Sequence, residues 1–407
     1  MYLLKENQNF QIQNFQQRPT FSSFLPGIAG VDGIPMWVFY VNRGQGIASF
    51  GVQDKDHAIM EFLPADKSYQ LVQVQGFRTF IKITENGETT FLEPFSSQHN
   101  ANHMETMEIS ENKLALEYVN QENGIKMTVE YFILPESPVA GLVRHVKFKN
   151  ISDKPKHIEL LDGLPSVFPS GVPNAAYKEL GNTIKSWFDV YNLENNIPYY
   201  KLRGSMEDTA EVKEVPQGNF FMSLISYRGE EKLAKPIVDR DIIFGTDTTL
   251  QLPQNFINES IETLVAEEAQ TTNKVSCGFT ATKVALAPNE ELELYTVVGH
   301  ASNLATVNSY VKEQITLPRL RTMQEIAATI TDQITAPIKC ETGQPLFDAY
   351  SRQSYLDNGL RGGFPFVFEK EDKQSLYYLY SRKHGDLERD YNFFSLSPTY
   401  YSQGNGN

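Results

Sequence analysis

Short apolar runs, many alternating with polar residues, dominate the chain from about residue 34 to residue 300. They are rich in Val, Ile, Phe and Tyr, which is typical of β-strands that bury one face. The first runs are MWVFYV (36–41), IASFGV (47–52), AIMEFL (58–63), SYQLVQVQGFRTFIKIT (68–84), KLALEYVN (113–120), IKMTVEYFIL (125–134) and VAGLVRHVKFKN (139–150). Strands resume with PYYKLRG (198–204), NFFMSLISY (219–227), VSCGFTAT (275–282) and ELELYTVVG (291–299).

The connections between these runs favour hairpins. Asn86-Gly87 and Asn123-Gly124 are the dipeptide that most strongly indicates a two-residue β-turn. Many short strands without intervening helices predict an antiparallel sandwich rather than a parallel α/β sheet. Residues 175–193 (AAYKELGNTIKSWFDVYNL) interrupt the strand pattern as a helix or an irregular insertion.

After His300 the period changes from two to that of a helix. Apolar residues at 304, 307, 311 and 315 form one helical stripe, and a second runs from Met323 to Ile334 between Pro318 and Pro337. A third helix is predicted with Thr342 as N-cap, Pro345 in the first turn and a stop at Asn358-Gly359. We therefore expect a β domain over residues 1–300, a helical linker over 301–335 and the beginning of a helical domain over 336–407, whose remainder is expected to be absent.

Composition narrows the function classes. The chain has 407 residues, of which 41% are hydrophobic and 12% aromatic, so it can build a large core. Its net charge of −14, without a basic run, argues against binding of nucleic acid or anionic membranes. Two cysteines are too few for a disulfide framework or a zinc site. No apolar run approaches the roughly 20 residues of a membrane helix, and a cytoplasmic location is expected.

The glycine loop RGQGIASFG (43–51) invites comparison with a phosphate-binding loop. A dinucleotide fingerprint needs a third glycine three residues after the second, followed by a helix. Ser49 stands at that position, and the residues behind it alternate like a strand. The loop is therefore predicted to be a tight turn between strands.

Other polar clusters have plain alternatives. A metal or an oriented histidine at Asp54-Lys55-Asp56-His57 competes with a solvated turn, and zinc at His99, His103 and Glu105 lacks the setting of the helical two-histidine motif. The segment from Arg382 to Asp390 (RKHGDLERD) could serve glycoside chemistry or form a salt-bridged turn. The aromatic residues that could stack on sugars, more often a feature of a core, are Trp37, Tyr40, Tyr377, Tyr378, Tyr380, Tyr400 and Tyr401.

Two segments carry a family resemblance. FLPGIAGVDGIPMWVFYVNRGQGIASFGVQDKDHAIMEFLPA (24–65) resembles the N-terminal domain of glycoside hydrolase family 94, the relatives of cellobiose phosphorylase. YSRQSYLDNGLRGGFPF (350–366) and HGDLERDYNFFSLSPTYYSQGNGN (384–407) resemble the opening of the catalytic domain, most of all in the 1,2-β-oligoglucan phosphorylases. The resemblance implies a mainly β fold: a large antiparallel β super-sandwich (galactose mutarotase-like), then a helical linker and the start of an (α/α)6 barrel.

The same resemblance implies inverting phosphorolysis. In the family a carboxylic acid protonates the glycosidic oxygen while inorganic phosphate, a co-substrate rather than a cofactor, attacks the anomeric carbon and yields α-glucose 1-phosphate. No residue here matches the general acid or the phosphate site, so no catalytic residue, cofactor or metal is assigned. Substrate contacts are expected from Arg361, Gly362, Gly363, Tyr401, Asn405 and Asn407. The expected partners are a β-glucooligosaccharide and the missing barrel segment, and a homodimer is left open.

Two further functions stay open. The chain could be a stand-alone carbohydrate-binding or scaffolding β-sandwich module. A mutarotase-like enzyme would need a histidine and a carboxylate on one face, for which His145 or His157 with Glu159 are the candidates.

Overall fold

Antiparallel strands form most of the molecule. The computed structural model describes residues 2–5, 9–30, 32–85, 87–97, 103–205, 210–211, 213–362, 365–370, 373–379 and 394–395, with side chains described as far as residue 356. Adjacent strands pair antiparallel in every described sheet, as in β11 (Ile125–Ile133) against β12 (Ala140–Asn150). The antiparallel, mainly β architecture predicted from the alternating pattern is confirmed.

The largest sheet has eleven strands in the order β1-β2-β9-β10-β11-β12-β20-β16-β15-β14, with β17 paired to β16. Besides β11 and β12, its strands are β1 (Tyr2–Leu4), β2 (Phe10–Gln13), β9 (His103–Ile109), β10 (Leu114–Asn120), β14 (Phe188–Tyr191), β15 (Tyr199–Leu202), β16 (Gly218–Tyr227), β17 (Glu230–Leu233) and β20 (Glu291–Ala301). Strands distant in sequence are therefore neighbours at its centre, where β12 pairs with β20.

Three smaller sheets complete the β structure of the described residues. The five-stranded sheet runs β18-β19-β13-β7-β8, the four-stranded sheet β3-β4-β5-β6 and the three-stranded sheet β21-β22-β23. Their strands are β3 (Ser22–Leu25), β4 (Met36–Val41), β5 (Ile47–Val52), β6 (Ala58–Met60), β7 (Arg78–Glu85), β8 (Glu88–Leu92), β13 (Lys156–Val167), β18 (Pro236–Ile237), β19 (Ser276–Leu286), β21 (Pro365–Lys370), β22 (Lys373–Leu379) and β23 (Phe394–Ser395).

The main core lies between the inner faces of the eleven-, five- and four-stranded sheets. Leu116 of β10, Phe50 of β5 and Leu160 of β13 all belong to one buried cluster. The alternation of side chains along each strand explains which residues are buried, because every second residue of a strand points to the same face. Burial of this apolar area is what holds the three sheets together.

Helices cover outer faces of the sheets and predominate from residue 304 to residue 362. The α-helices are α1 (Ala65–Gln75), α2 (Asn174–Leu180), α3 (Arg240–Phe244), α4 (Gln254–Asn258), α5 (Ile261–Ala266), α6 (Leu304–Thr306), α7 (Lys312–Gln314), α8 (Leu317–Thr335) and α9 (Pro345–Gly362). A π-helical segment, Val307–Val311, joins α6 to α7. The 3-10 turns are Phe15–Gln17, Lys55–His57, Thr183–Trp187, Leu193–Asn195 and Ala336–Ile338. Within the described part of the chain, none of these helices has the length and apolar character needed to cross a membrane.

The helices after β20 pack on the outer face of the eleven-stranded sheet. Leu320 and Met323 of α8 join Val143 of β12 and Phe220 of β16 in a second buried cluster. Pro318 lies at the start of α8 as predicted, and Met323, Ala327 and Ile330 of the predicted stripe are buried. Ile326, also predicted for that stripe, is exposed. This helix covers only part of that face.

One predicted strand is wrong. The alternating residues from Ser68 to Gln75 form most of α1, which starts after Pro64 and ends at Gly76. Ser68 and Val72, four residues apart, are its buried positions, and Val72 packs with Phe39 on the four-stranded sheet. Packing on that sheet overrides the strand-like alternation, since intrinsic preference is a weak prior.

Other local predictions also need correction. Helices α3 to α5 lie between β18 and β19, although the pattern predicted strands without intervening helices. The insertion predicted at 175–193 contains α2, a 3-10 turn and then β14. Helix α9 continues through the predicted Asn358-Gly359 stop to Gly362. Thr342 lies outside α9 but supports its first turn, donating a hydrogen bond to Asp348 at 2.7 Å.

Candidate functional site

The substrate contacts implied by the family resemblance fall at the limit of the described residues. Arg361 and Gly362 are the last two residues of α9, at a point where only the backbone is described. Gly363, Tyr401, Asn405 and Asn407 lie outside the described residues, as does the whole segment 382–390. A sugar site built from them stays a prediction.

The glycine loop is a hairpin turn between β4 and β5. The Val41 N–H donates to the carbonyl of Gly46 at 2.8 Å, and both Gly44 and Gly46 have positive φ, at 54° and 84°. No helix follows the loop, because β5 begins at Ile47. The prediction of a turn rather than a nucleotide site is confirmed.

The same loop sends one side chain into the core. Gln45 accepts a hydrogen bond from Arg144 Nη2 at 2.6 Å and donates to Thr79 Oγ1 at 3.1 Å. Arg144 also donates to both carboxylate oxygens of Asp162, at 2.7 and 3.0 Å, and to the hydroxyl of Tyr131. Arg144 and Asp162 are fully buried. Every partner here comes from the protein itself, so this network joins the three sheets rather than binding a ligand.

The polar turn at Asp54 to His57 is a 3-10 turn with an oriented histidine. Asp54 Oδ1 lies 2.7 Å from His57 Nδ1 and also accepts from the Asp56 N–H at 2.9 Å. The Asp56 carboxylate caps the start of α2 by accepting from the Asn174 N–H. Among the described residues no group of three metal-binding side chains converges. The predicted turn therefore explains the contacts of Asp54 and Asp56.

Only part of the second histidine cluster lies within the described residues. His99 lies outside the described residues. His103 on β9 stacks on Tyr118 and lies 3.1 Å from Glu105 Oε1. His103 and Glu105 lie on β9, between β2 and β10, so this part of the cluster lacks the helical setting of the two-histidine motif.

Of the two candidate mutarotase pairings, His157 with Glu159 shares one face of β13, whereas His145 lies on a different sheet from Glu159. His157 and Glu159 lie on β13 of the five-stranded sheet, and Glu159 is held by Lys82 at 2.7 Å and Lys283 at 3.1 Å. His145 lies on β12 of the eleven-stranded sheet, facing the opposite side of the sandwich. The expected convergence of His145 with Glu159 is therefore wrong.

A polar groove opens where α8 leaves the outer face of the eleven-stranded sheet uncovered. It encloses about 760 Å³ over strands β9 to β12 and β20, with α8 as one wall. Its lining includes Lys113, Glu130, His145, Lys147, Glu293, Tyr295, Arg321 and Gln324. Gln324 of α8 donates to Glu130 at 2.6 Å and accepts from the Tyr295 hydroxyl at 3.0 Å, which fixes the wall against the floor.

Glu293 is the centre of charge in this groove. Its carboxylate lies 3.1 Å from Lys147 Nζ, 3.1 Å from Arg321 and 3.7 Å from His145 Nε2. The neighbouring His145 and these cations lower the pKa of Glu293 well below its ordinary value. A carboxylate held ionised in this way is a hydrogen-bond acceptor and a weak base.

Sequence reasoning missed this groove. His145 was singled out, but with the wrong partner, because Glu293 is 148 residues later in the chain. Both residues occupy outward positions of alternating strands, where charged side chains carry no special signal. Their meeting follows from the pairing of β12 with β20, in which His145 faces Tyr295.

Comparisons with known proteins identify the β domain. A family model described as glycosyl hydrolase 94, supersandwich domain, matches residues 93–315. The comparison with curated proteins found no match.

Solved structures resemble the chain at low identity. A galactose mutarotase-like protein from Clostridium acetobutylicum is 10% identical, with a TM-score of 0.31, over 69% of this chain and 98% of that protein. A protein described as a kojibiose phosphorylase, from the human microbiome, is 9% identical, with a TM-score of 0.26, over 86% of this chain. A polysaccharide lyase is 12% identical, with a TM-score of 0.38, over 67% of this chain. The chain spans about a third of the length of the last two, at 32% and 33%. At these TM-scores the likenesses carry no functional argument.

Proposed function

The chain belongs to glycosyl hydrolase family 94 through its supersandwich domain, and on this premise we propose that it serves as the sandwich and linker portion of an inverting β-glucan phosphorylase. The substrate class proposed is β-1,2-linked oligoglucan. The reaction transfers a glucosyl group from the glycosidic oxygen, which takes up a proton, to a phosphate oxygen, and releases α-glucose 1-phosphate. The match of residues 93–315 to the family carries this proposal.

The described residues are proposed to support this reaction rather than perform it. A general acid needs a carboxyl whose pKa is raised toward neutral pH. Among the described carboxyls the pKa is raised at Glu61, by burial, but the charges of Lys178 and Lys67 oppose that rise. Glu293 in the groove has the opposite perturbation. We therefore assign no catalytic residue among the side chains that the structure describes.

Activity of the purified chain tests this division of labour. The 407-residue chain is incubated with β-1,2-linked glucooligosaccharide and inorganic phosphate, and glucose 1-phosphate is measured by an enzyme-coupled absorbance assay. We expect no release above the rate without protein. Release that is abolished in a Glu61→Gln variant would contradict the proposal and identify Glu61 as the acid. A positive control is a complete family 94 phosphorylase in the same assay.

Exposed apolar side chains on α9 support a protein partner. Leu346, Phe347 and Tyr350 are 62%, 55% and 70% exposed. Leu346 and Tyr350 border a groove of about 500 Å³ whose other wall includes Phe10 and Phe24. Exposed apolar surface of this kind is typical of an interaction site, and the partner proposed is the catalytic barrel segment.

The partner proposal has its own measurement. A separately produced family 94 barrel segment is mixed with the chain, and complex formation is followed by size-exclusion chromatography with light scattering. A complex that is lost in a Tyr350→Glu variant is the expected result. Self-association of the chain that Tyr350→Glu abolishes, without any complex, would replace the barrel by a second copy as the partner.

A further inference from the structure

The groove over the eleven-stranded sheet continues as a channel along α8. A second section of about 230 Å³ is lined by Asn9, Ser110, Thr331 and Arg352, and shares Lys113 and Ala328 with the first. Arg321, Gln324, Ala328 and Thr331 are spaced three or four residues apart, so one face of α8 borders both sections. The first section alone is within the usual size of ligand sites, roughly 300–1,000 Å³. This shape suits an elongated ligand.

One buried nitrogen on the floor of this groove, Nε2 of His145, has no hydrogen-bond partner among the described residues. His145 is 6% exposed and stacks on Tyr295 with ring centroids 3.8 Å apart. Its Nε2 is buried without a hydrogen bond among the described residues and lies 3.7 Å from Glu293 Oε1. Buried polar atoms without a partner are uncommon and call for an explanation.

A hydroxyl group satisfies both side chains at once. An oxygen roughly 2.8 Å from each can accept a hydrogen bond from His145 Nε2–H and donate its own proton to Glu293. Glu293 is suited to accept, because Lys147 and Arg321 each lie 3.1 Å from its carboxylate and favour the ionised form. Tyr295 behind the imidazole fixes the ring plane, so the hydroxyl position is defined.

The charges of the groove favour a neutral ligand. Its lining holds four cations, Lys5, Lys113, Lys147 and Arg321, and five carboxylates, Glu108, Glu117, Glu130, Glu293 and Glu325. Several of these are already paired, such as Lys113 with Glu130 at 3.1 Å. An anion would meet no net positive charge, whereas a polyhydroxylated chain can exchange hydrogen bonds with both signs.

We infer that this groove is a binding site for a neutral oligosaccharide, in which His145 and Glu293 hold one sugar hydroxyl. The site anchors a glucan chain on the β domain. It uses no residue that the family resemblance assigned to substrate, and it does not depend on the barrel.

Calorimetric titration in phosphate-free buffer tests the inference. The full chain is titrated with a β-1,2-linked glucose pentamer and, separately, with glucose 1-phosphate as a charged probe. We expect saturable binding of the pentamer and weaker binding of glucose 1-phosphate. Heat of dilution alone at millimolar pentamer would overturn the inference, as would tighter binding of glucose 1-phosphate. Because no phosphorolysis is measured, failure here leaves the proposed function standing, and the reverse also holds.

Two variants locate the site. His145→Phe keeps the stacking on Tyr295 but removes Nε2, and about tenfold weaker pentamer binding is expected from the lost hydrogen bond. Ala328→Trp fills the groove from the exposed side of α8 without touching His145, and should abolish binding. The matched control is His103→Phe, which removes a histidine that also stacks on a tyrosine but lies outside the groove. Equal affinity of all three variants and the unmodified chain would overturn the inference.

Discussion

Replacement of Asp162 by alanine is expected to destabilise the sandwich strongly. Asp162 is fully buried and accepts hydrogen bonds from Arg144 Nη2 at 2.7 Å, Arg144 Nε at 3.0 Å and Thr79 Oγ1 at 2.6 Å. Its removal leaves the Arg144 charge in the core with neutral partners alone. Removing one member of a buried ion pair costs about 3–5 kcal/mol of unfolding free energy.

A double variant separates the lost pair from general damage to the core. The double variant Arg144→Met with Asp162→Leu replaces both charges by apolar groups of similar size, so it should be much closer to the unmodified chain than Asp162→Ala is. The assay is urea unfolding followed by circular dichroism, with the thermal midpoint as a second measure. The single variant should lower that midpoint by on the order of 10 °C.

An exposed ion pair serves as the control for the Asp162→Ala experiment. Lys339 and Glu341 lie 3.0 Å apart, but their side chains are 64% and 80% exposed. Glu341→Ala is therefore expected to change stability by less than about 1 kcal/mol. If Asp162→Ala proved no more harmful than Glu341→Ala, the network would not be a desolvated charge pair and the reasoning would be refuted.

Three further perturbations test other parts of the fold. Burial lowers the pKa of His300 to about 4, so the unfolded chain binds a proton at this histidine first, and stability falls as the pH drops from about 6.5 to 4. A plot of thermal midpoint against pH for His300→Gln should lack this fall, and a plot with an unchanged slope would contradict the assignment. Leu320→Ala should lower the free energy of unfolding in urea by about 2–5 kcal/mol, because Leu320 of α8 is fully buried. Ile326→Ala, at an exposed position of the same helix, should lower it far less. Gly46→Ala should lower the free energy of unfolding by about 1–3 kcal/mol, since φ is positive at Gly46 and a Cβ there would lie 2.8 Å from Leu114. A thermal midpoint equal to that of the unmodified chain would refute this expectation.

Local patterns predicted much of the β structure. Strands such as β10 and β11 fall where apolar and polar residues alternate, because burial on one face imposes that period. Strands β4 and β5 are instead short runs that are buried at every position. The stretch from Ser68 to Gln75 shows the limit, since its alternating residues form α1 against the four-stranded sheet. A short segment with both patterns is decided by the surface on which it packs.

The sequence indicates only one member of the buried network, Arg144. Arg144 stands at an apolar position of β12, between Leu142 and Val146, both of which face the core. That placement indicates a buried charge with a partner. The partner Asp162 belongs to a different sheet, so its identity depends on how the two sheets face each other.

The sequence by itself determined the antiparallel strands, the Gly44 to Gly46 turn, the helical stripes after residue 300 and the family resemblance, because each depends on neighbours within about one element length. Only the tertiary structure decided the groove and its contacts. His145, Glu293 and Arg321 meet there because β20 pairs with β12 and α8 folds back over both. Such contacts depend on strand order, which local hydrophobic periodicity does not encode.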